Sequence, residues 1–534
     1  MSIISLHQHS NYSLLTGAVR LDDLISKAKS LGIYALALTD INGMYGLIQF
    51  YKKCLEEGIK PLLGVMIDEP DAPQIYALFI AQNREGYSTI CRIITSRKLK
   101  DDFSLFTLLK EPLEGVFIIT SSIELLKISG NKEYVFAELV VTGSKRKETR
   151  DVYDFAVKNN FRFVPVSPVY FLEKDDFLIH KVLTAIKLRK TLGSLNENDL
   201  VPDDYYFKTP SELLPLWKRI PGALQNLDYI VKSVNLDLEL GRVKFPAFDV
   251  PDQTSPQSYL AKIAYGGLER RYTQITPKII ERLEYELKVI NELGFTDYFL
   301  VVRDIVSEAK RRGMMVLGRG SAGNSLVSYS LGFTDVDPIK YDLYFERFLN
   351  RSRLSPPDID IDFSWRERDM IVKYVFEKYG YEKVAMISTT VTFRARSAFR
   401  ETAKVFGIPD SEISNYSKFI PWTDARNLPN LAAMFPESKT LKLNEEPWKS
   451  IVNIASKLAG YPRHLSIHPG GIVITPTHIT NFTALEYAGN KGLGLIVTQP
   501  DMYPVEDLGL IKIDLLSQRS LGVLRDTMQA IAGK

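Results

Sequence analysis

Short apolar runs alternate with amphipathic helical patterns over about the first 235 residues. The helical patterns include Leu21–Leu31 and Leu47–Glu57. The apolar runs are Ile3–Leu6, Ala35–Leu38, Pro61–Ile67, Ile75–Ala81, Gly115–Thr120 and Phe163–Val166. A repeated strand–helix rhythm of this kind predicts α/β units that form a sheet or barrel. We therefore predict an α/β domain over residues 1–235.

The pattern changes after the proline-containing stretch Val243–Pro256, which indicates a connection to a second domain. Two long amphipathic helical patterns, ending near Leu293 and Arg312, precede a short apolar strand at Met314–Leu317. Residues 390–465 are mostly helical, and the last β-like runs are Gly471–Thr475, Gly494–Thr498 and Leu510–Leu516. If the last run pairs with strands before residue 390, the helical segment is an insertion. We predict a discontinuous domain at 236–390 and 466–534, interrupted by helical residues 391–465.

Composition and charge narrow the class of protein. The chain has 534 residues, of which 45% are hydrophobic and 25% are charged, as is usual for folded chains of several domains. Its net charge of +3 permits a nucleic-acid partner without requiring one. Because Cys54 and Cys91 are the only cysteines, a disulfide framework is excluded and we expect a cytoplasmic location. The sequence contains no uninterrupted run of about 18 apolar residues, so it predicts no membrane span.

Aspartates alternate with apolar residues in the segment Pro357–Phe363. On a strand, Asp358, Asp360 and Asp362 would share one face, where unpaired like charges repel one another unless a cation neutralises them. Carboxylates so arranged suit Mg²⁺ and can serve a two-metal phosphoryl-transfer site. A second run, Leu510–Leu515, places Lys512 and Asp514 on one face. The alternative interpretation is two amphipathic strands whose acids face water.

A glycine-rich turn, Leu317–Ser325, follows a predicted strand and precedes the apolar helical run Leu326–Leu331. Backbone N–H groups at the start of that helix can cradle a phosphate, and Arg319 can add bidentate contacts. The turn also fits G-x-G-x-x-G, but no second strand ending in an acid follows it, which disfavours a dinucleotide-binding fold. Tight packing of strand against helix is the remaining alternative.

Several segments resemble, in order and spacing, the palm of the bacterial C-family replicative DNA polymerases. They are Gly318–Gly323, Asp335–Ile339, Phe345–Asn350, Pro357–Phe363, His468–Ile474, Val497–Gln499 and Gly509–Asp514. The resemblance implies a nucleotidyltransferase-like α+β palm of the polymerase-beta type with a helical thumb insertion. It also implies template-directed DNA synthesis with two Mg²⁺ ions, and primer-template DNA and deoxynucleoside triphosphates as partners.

The resemblance also implies roles for individual residues of the palm. Asp360, Asp362 and Asp514 would be the catalytic metal ligands, and Asp358 would be a structural member of the motif. The triphosphate-binding residues would be Gly318, Arg319, Gly320 and Ser321, with Lys512 neutralising charge nearby. Arg347 and Arg353 are weaker phosphate candidates.

The thumb of the family matches residues 391–465. Within it, Arg396, Arg400 and Lys404 recur every four residues, so on a helix they would form one basic stripe suited to the duplex backbone. A solvated helix face is an equally good interpretation of this spacing.

The N-terminal segment His7–Ser10, together with Asp40, resembles the start of a PHP domain, an α/β barrel whose intact members bind a cluster of metals. Where the family pattern has further ligands, this chain has Ile41, Met66, Tyr76, Ser122, Pro168 and Tyr170. The remaining His7, His9 and Asp40 could hold at most one weakly bound ion, and His180 is a residual histidine of the same kind. We therefore interpret the barrel as a scaffold with a degenerate metal site.

Three functions follow from these features. The first is a template-directed DNA polymerase. The second is a catalytically incomplete fragment that binds primer-template DNA or a partner, because the resemblance implies fingers and clamp-binding regions that a separate chain would have to carry. The third, supported least, is a metal-dependent phosphoesterase that uses the N-terminal barrel. The sequence leaves open whether the role is replicative or error-prone.

Overall fold

The computed structural model describes residues 3–130, 132–251, 253–352, 356–489 and 495–533. The chain divides into two compact units. The first comprises residues 1–238, 389–466 and 480–490, and the second comprises residues 239–388, 467–479 and 491–534. Within the described ranges, no helix combines the length and the hydropathy needed to span a bilayer.

The strands are β1 Ala35–Leu38, β2 Lys60–Glu69, β3 Ala72–Ala81, β4 Val116–Thr120, β5 Val135–Val140, β6 Arg162–Val166, β7 Val316–Arg319, β8 Asp360–Ser364, β9 Val384–Thr392, β10 Pro462–Ile474, β11 Leu485–Tyr487, β12 Ile496–Asp501 and β13 Lys512–Gln518.

The helices are α1 Leu21–Ser30, α2 Leu47–Glu56, α3 Arg84–Leu99, α4 Leu105–Leu108, α5 Ile123–Ile128, α6 Arg146–Lys158, α7 Phe177–Leu188, α8 Pro210–Trp217, α9 Ala223–Ser233, α10 Pro256–Arg271, α11 Pro277–Glu292, α12 Thr296–Arg311, α13 Leu326–Leu331, α14 Arg368–Tyr379, α15 Ala395–Val405, α16 Asp410–Ser417, α17 Leu431–Met434, α18 Trp448–Lys457, α19 Met502–Asp507 and α20 Arg519–Ala532.

The first unit is built on a sheet with the strand order β1-β2-β3-β4-β5-β6. Strand β1 is parallel to β2, and β5 is parallel to both β4 and β6, whereas β3 runs antiparallel to both β2 and β4. The chain before α1 links the two edges, because Thr39 N–H donates to the Gln8 carbonyl at 2.8 Å and His9 N–H donates to the Val169 carbonyl at 2.9 Å. This arrangement confirms the predicted α/β, barrel-type class.

Two features of this sheet differ from the sequence prediction. Ile3–Leu6 forms no strand, and the N-terminal segment meets the sheet later, at Gln8, which forms an isolated bridge with Val169 and accepts the Thr39 N–H. The apolar runs named above also do not include β5, whose residues are all buried although one of them, Glu138, is an acid. A buried acid requires a partner, so β5 carries chemistry as well as core packing.

The segment between β9 and β10 contains the four helices α15 to α18 together with short 3₁₀ turns, and it corresponds to the predicted helical segment. Its core is aromatic, since the Trp448 ring stacks on Tyr416 with centroids 3.9 Å apart and on Phe399 at 5.6 Å.

The second unit is an α+β arrangement in which the strands follow the order β12-β9-β10-β13-β8-β7. Strand β13 is parallel to β8 and antiparallel to β10, and β7 is antiparallel to β8. Both faces of β8 are covered, since Ile361 and Phe363 are completely buried on one face and Asp362 is only 3% exposed on the other. Helix α13 begins and ends at the predicted residues, and β7 lies two residues later than predicted.

Candidate active site

The adjacent parallel strands β8 and β13 bring together carboxylates that are about 150 residues apart in the chain. The register pairs Asp360 directly with Asp514. One carboxylate oxygen from each of Asp358, Asp360 and Asp514 lies within 4.8 Å of the others. No other group of three or more potential metal-ligating side chains forms among the residues that the structure describes. We call Asp358, Asp360 and Asp514 the carboxylate group.

The membership of this group differs from the expectation that three aspartates of one strand share a face. Strand β8 begins only at Asp360, after Pro356 and Pro357, which have no N–H to donate to a sheet. Asp358 therefore precedes the strand, yet its carboxylate belongs to the group. Asp362 lies outside the group, is 3% exposed, and has its Oδ1 3.3 Å from Arg319 Nε.

Two cations lie against these carboxylates. Lys512 Nζ is 2.7 Å from Asp514 Oδ2 and 3.6 Å from Asp358 Oδ1. Burial lowers the pKa of Lys512, but the ion pairs with these two acids outweigh burial, so the net pKa is raised. Arg319 Nε lies 3.8 Å from Asp360 Oδ2 in addition to its contact with Asp362. Two cations therefore face four carboxylates.

The excess negative charge is visible in the protonation equilibria. Burial, followed by repulsion from Asp358 and Asp514, raises the pKa of Asp360 to about 6, although Arg319 and Lys512 partly oppose the shift. Burial also raises the pKa of Asp362. A hard divalent cation, which prefers carboxylate oxygens, would relieve both the repulsion and the burial cost.

Two buried carboxylate oxygens of the site accept no hydrogen bond, namely Asp362 Oδ1 and Asp514 Oδ1. His468 Nδ1 lies 3.5 Å from Asp514 Oδ1. That nitrogen accepts the Gly471 N–H at 2.7 Å, so it has no proton to offer the carboxylate. Buried oxygens normally have partners, and an anionic oxygen without one fits a metal ligand. The donor set therefore fits a divalent metal.

The glycine-rich turn lies beside the carboxylates because β7 pairs with β8, with Arg319 opposite Asp360. Glycine is required at two of its positions. A Cβ at residue 318 would lie 2.1 Å from the Phe333 carbonyl oxygen, and Gly320 has φ +71°. Residues Gly320–Asn324, including Ser321, form one short 3₁₀ turn. The turn and Arg319 are thus held next to the carboxylate group.

The start of α13 is not free to bind a phosphate, which corrects the expectation from the sequence. The buried Glu286 carboxylate accepts the backbone N–H groups of Leu326 and Val327, both at 3.0 Å. It also accepts the Ser325 hydroxyl at 2.7 Å. The side chain of an earlier helix, α11, thus already occupies these donors.

The remaining basic candidates are placed differently. Arg347 is exposed at the end of a short 3₁₀ turn, and Arg353 lies outside the described residues. Arg396, Arg400 and Lys404 all lie on α15, and two of them donate hydrogen bonds to neighbouring groups of the same segment. The guanidinium of Arg396 donates to the Ile420 carbonyl at 2.6 Å, and that of Arg400 donates to the Ser417 hydroxyl at 3.0 Å.

A buried polar cluster in the first unit contains the predicted His7 and His9. His7 Nδ1 lies 2.6 Å from Glu138 Oε1, and His7 Nε2 lies 2.9 Å from His9 Nε2. Glu138 Oε2 accepts the Tyr76 hydroxyl at 2.8 Å. We call His7, His9, Tyr76 and Glu138 the histidine cluster. The sequence analysis missed Glu138, for which the signal was a single acid in the apolar run Val135–Val140.

Asp40 and His180 have hydrogen-bond partners outside the histidine cluster, although the Ser13 hydroxyl that binds Asp40 also lies 3.4 Å from His9 Nδ1. The Asp40 carboxylate accepts hydrogen bonds from the hydroxyls of Ser10 and Ser13 at 2.7 and 2.6 Å, and burial raises its pKa. His180 Nδ1 donates to the Thr16 carbonyl at 2.8 Å, and burial lowers its pKa to about 4. Burial and the neighbouring His7 lower the pKa of His9 well below its usual range.

Two protein-family models match the chain. A model described as the bacterial DNA polymerase III alpha NTPase domain matches residues 258–517, and the PHP domain model matches residues 5–161. Among solved structures, an amidohydrolase from Chromobacterium violaceum matches 31% of this chain and 87% of its own length at 14% identity, with a TM-score of 0.24.

Curated relatives match almost the whole chain. The error-prone DNA polymerase of Symbiobacterium thermophilum is 33% identical over 99% of this chain and 52% of its own length. The DNA polymerase III subunit alpha of Bacillus subtilis is 34% identical over 99% of this chain and 50% of its own. The chain therefore spans about half the length of these relatives.

Proposed function

We propose, from the premise that this chain belongs to the bacterial DNA polymerase III alpha family, that it carries the palm of a template-directed DNA polymerase. The reaction would be nucleotidyl transfer from a deoxynucleoside triphosphate to the 3′-hydroxyl of a primer. The observation that carries the proposal is the carboxylate group, flanked by Lys512 and Arg319 beside a glycine-rich turn. We place this activity in the cytoplasm as part of the same proposal.

Asp360, Asp362 and Asp514 would hold two Mg²⁺ ions in this proposal. Asp358 is close enough to contribute an oxygen, which extends its role beyond the structural one implied by the sequence. When bound, the ions would acidify the primer hydroxyl and stabilise the departing pyrophosphate. The two buried oxygens without hydrogen bonds, on Asp362 and Asp514, support this assignment.

The incoming triphosphate would lie against Gly318, Arg319, Gly320 and Ser321, with Lys512 neutralising charge nearby. The ion pairs that Arg319 and Lys512 make with the carboxylates hold both cations at the site. Each can therefore exchange a carboxylate contact for a phosphate oxygen over a short movement. Arg319 is suited to bidentate contact with phosphate, whereas Lys512 acts as a point charge.

Primer-template DNA would contact the basic residues Arg396, Arg400 and Lys404 of α15, in a thumb over residues 391–465. The charges of Arg400 and Lys404 are partly balanced by Asp410, whose Oδ1 lies 3.9 and 3.8 Å from their nitrogens. We therefore propose that these residues contribute to DNA affinity and that their contribution falls steeply as the salt concentration rises.

A second candidate function is a catalytically incomplete fragment that binds DNA but does not extend it. It is favoured by α20, on which Val523 and Ile531 are 66% and 67% exposed. Large apolar side chains at such exposure suit contact with further polypeptide. In this case a separate chain with the family's fingers would complete the enzyme. The phosphoesterase alternative is disfavoured, since Glu138 and Tyr76 engage His7 through hydrogen bonds.

Primer extension on a primed DNA template with Mg²⁺ at low salt tests the proposal. We expect wild-type chain and the exposed-site control Glu281→Gln to add nucleotides, and Asp360→Ala/Asp362→Ala to add none. Anisotropy with labelled primer-template would be measured in parallel. DNA binding without extension by the wild type would select the incomplete fragment, and extension by the double variant would overturn the assignment of the site.

A further inference from the structure

A fully buried acid, Glu286 on α11, holds the segment that follows the glycine-rich turn. Each of its carboxylate oxygens accepts two hydrogen bonds. Oε1 accepts Leu326 N–H at 3.0 Å and Arg282 Nε–H at 2.6 Å, and Oε2 accepts Val327 N–H at 3.0 Å and the Ser325 hydroxyl at 2.7 Å. Such a saturated buried carboxylate fixes its donors firmly relative to α11.

The arginine paired with Glu286 extends this hold into the turn. Arg282 Nη2 donates to the carbonyl of Asn324 and to that of Leu343, both at 3.0 Å. Asn324 is the last residue of the 3₁₀ turn, and its side-chain amide donates to the Ser321 carbonyl at 2.9 Å. A continuous series of hydrogen bonds therefore runs from Glu286 through Arg282 and Asn324 to Ser321.

The same carboxylate determines where an anion can bind. Because Glu286 takes the first free N–H groups of α13, a phosphate there would lose those donors and meet a negative charge. The donors left for an anion are those of the turn itself together with the Arg319 guanidinium, which faces Asp360 and Asp362. The triphosphate is thereby directed towards the carboxylate group.

We infer that Glu286 is a positioning residue for nucleotide binding, which fixes the glycine-rich turn through Arg282 and Asn324 and closes the start of α13 to phosphate. The inference rests on the proposed function, since it concerns the triphosphate of that reaction. Glu286 contacts no substrate in this account. Its effect reaches the nucleotide through the position of Ser321 and of the neighbouring backbone donors.

The test is the affinity of the whole chain for deoxyadenosine triphosphate with Mg²⁺, measured by calorimetry. The Glu286→Gln variant keeps the shape of the side chain but places an amide N–H₂ against donors that need an acceptor. We expect its dissociation constant for the nucleotide to rise about 10- to 100-fold, because a small displacement of positioned contacts has an effect of this order. Glu281→Gln, an exposed acid on the same helix, should bind as the wild type does.

Affinity for primer-template DNA distinguishes positioning from general loss of structure, and we expect it to be unchanged in Glu286→Gln. If that variant does not fold, Asn324→Ala removes only the last bond of the series, from the Asn324 side-chain amide to the Ser321 carbonyl, and leaves the Glu286 and Arg282 bonds in place. It should weaken nucleotide binding about 3- to 10-fold. If the folded variant binds nucleotide as tightly as the wild type, or if its affinities for nucleotide and DNA fall equally, the inference is overturned but the proposed function is not. A wild-type chain that binds no nucleotide would overturn the proposed function and the inference with it.

Discussion

The histidine cluster and the carboxylate group are both collections of ionisable side chains, but they satisfy their charges in opposite ways. His7, His9 and Glu138 are buried, whereas in the carboxylate group only Asp514 is buried, Asp360 is half-buried and Asp358 is exposed. In the histidine cluster the donors and acceptors of His7, Glu138 and Tyr76 satisfy one another within 2.9 Å. In the carboxylate group like charges stand together, and one oxygen of Asp514 accepts no hydrogen bond. The first is a closed network that stabilises the fold, whereas the second is an open one that calls for a cation.

Substitutions at the two sites should therefore affect stability and activity in opposite ways. Removing a member of the closed network should destabilise the chain. Removing a member of the open one should abolish chemistry while relieving repulsion.

The largest expected effect is on catalysis. Asp514→Asn keeps the size of the side chain but removes a charge from the carboxylate group, so we expect nucleotide incorporation to fall by about a thousandfold or more. Because the repulsion with Asp360 is relieved while the ion pair with Lys512 is lost, the thermal midpoint should change little. Single-turnover incorporation and calorimetric scans check both parts. Retained activity, or a clear loss of thermal stability, would contradict the contrast between the two sites.

The next largest effect concerns the closed network. Glu138→Ala leaves the ring of His7 and the hydroxyl of Tyr76 buried without their acceptor, so we expect a loss of about 3 kcal/mol in the free energy of unfolding. Urea titration followed by far-UV circular dichroism measures it, with the exposed acid Glu111→Ala as the matched control. An unfolding midpoint equal to that of the control would show that the cluster does not contribute to stability.

A smaller effect should appear in the pH dependence of stability. Buried His180 is neutral, with a pKa of about 4, whereas in the unfolded chain its pKa is near 6.5. The unfolded state therefore binds more protons between these values, and stability should fall as pH falls from 6.5 to 4, by at most about 1.4 kcal/mol per pH unit. In His180→Gln the free energy of unfolding should depend less on pH between 6.5 and 4 than it does in the wild type. An identical profile for wild type and variant would exclude this residue as the source.

The sequence predicts the barrel best where its strands are uniformly apolar. Strands β1 and β4 lie within the expected runs because every residue on them is buried, which a continuous apolar run signals. Strand β5 was not found, since Glu138 interrupts its pattern and the partners that allow its burial, His7 and Tyr76, are distant in sequence.

At the candidate active site, the alternating aspartates predict strand β8 but not the residue at which it begins. The spacing places Asp360 and Asp362 on β8, yet only the fold shows that Asp358 precedes the strand and still reaches Asp514. Likewise the glycine-rich turn is evident from the sequence, whereas the closure of α13 by Glu286 is not, because about 40 residues separate the acid from its donors. Contacts between distant residues carry this information.

Titration with Mn²⁺, followed by electron paramagnetic resonance, tests most directly the claim that the carboxylate group is open to a cation and the histidine cluster is closed. The wild-type chain, Asp360→Asn/Asp514→Asn and His7→Ala/His9→Ala would be compared in the presence of a deoxynucleoside triphosphate. We predict tight Mn²⁺ binding by the wild type and the histidine variant, and its loss in the aspartate variant. Binding that survives in the aspartate variant and disappears in the histidine variant would contradict the account.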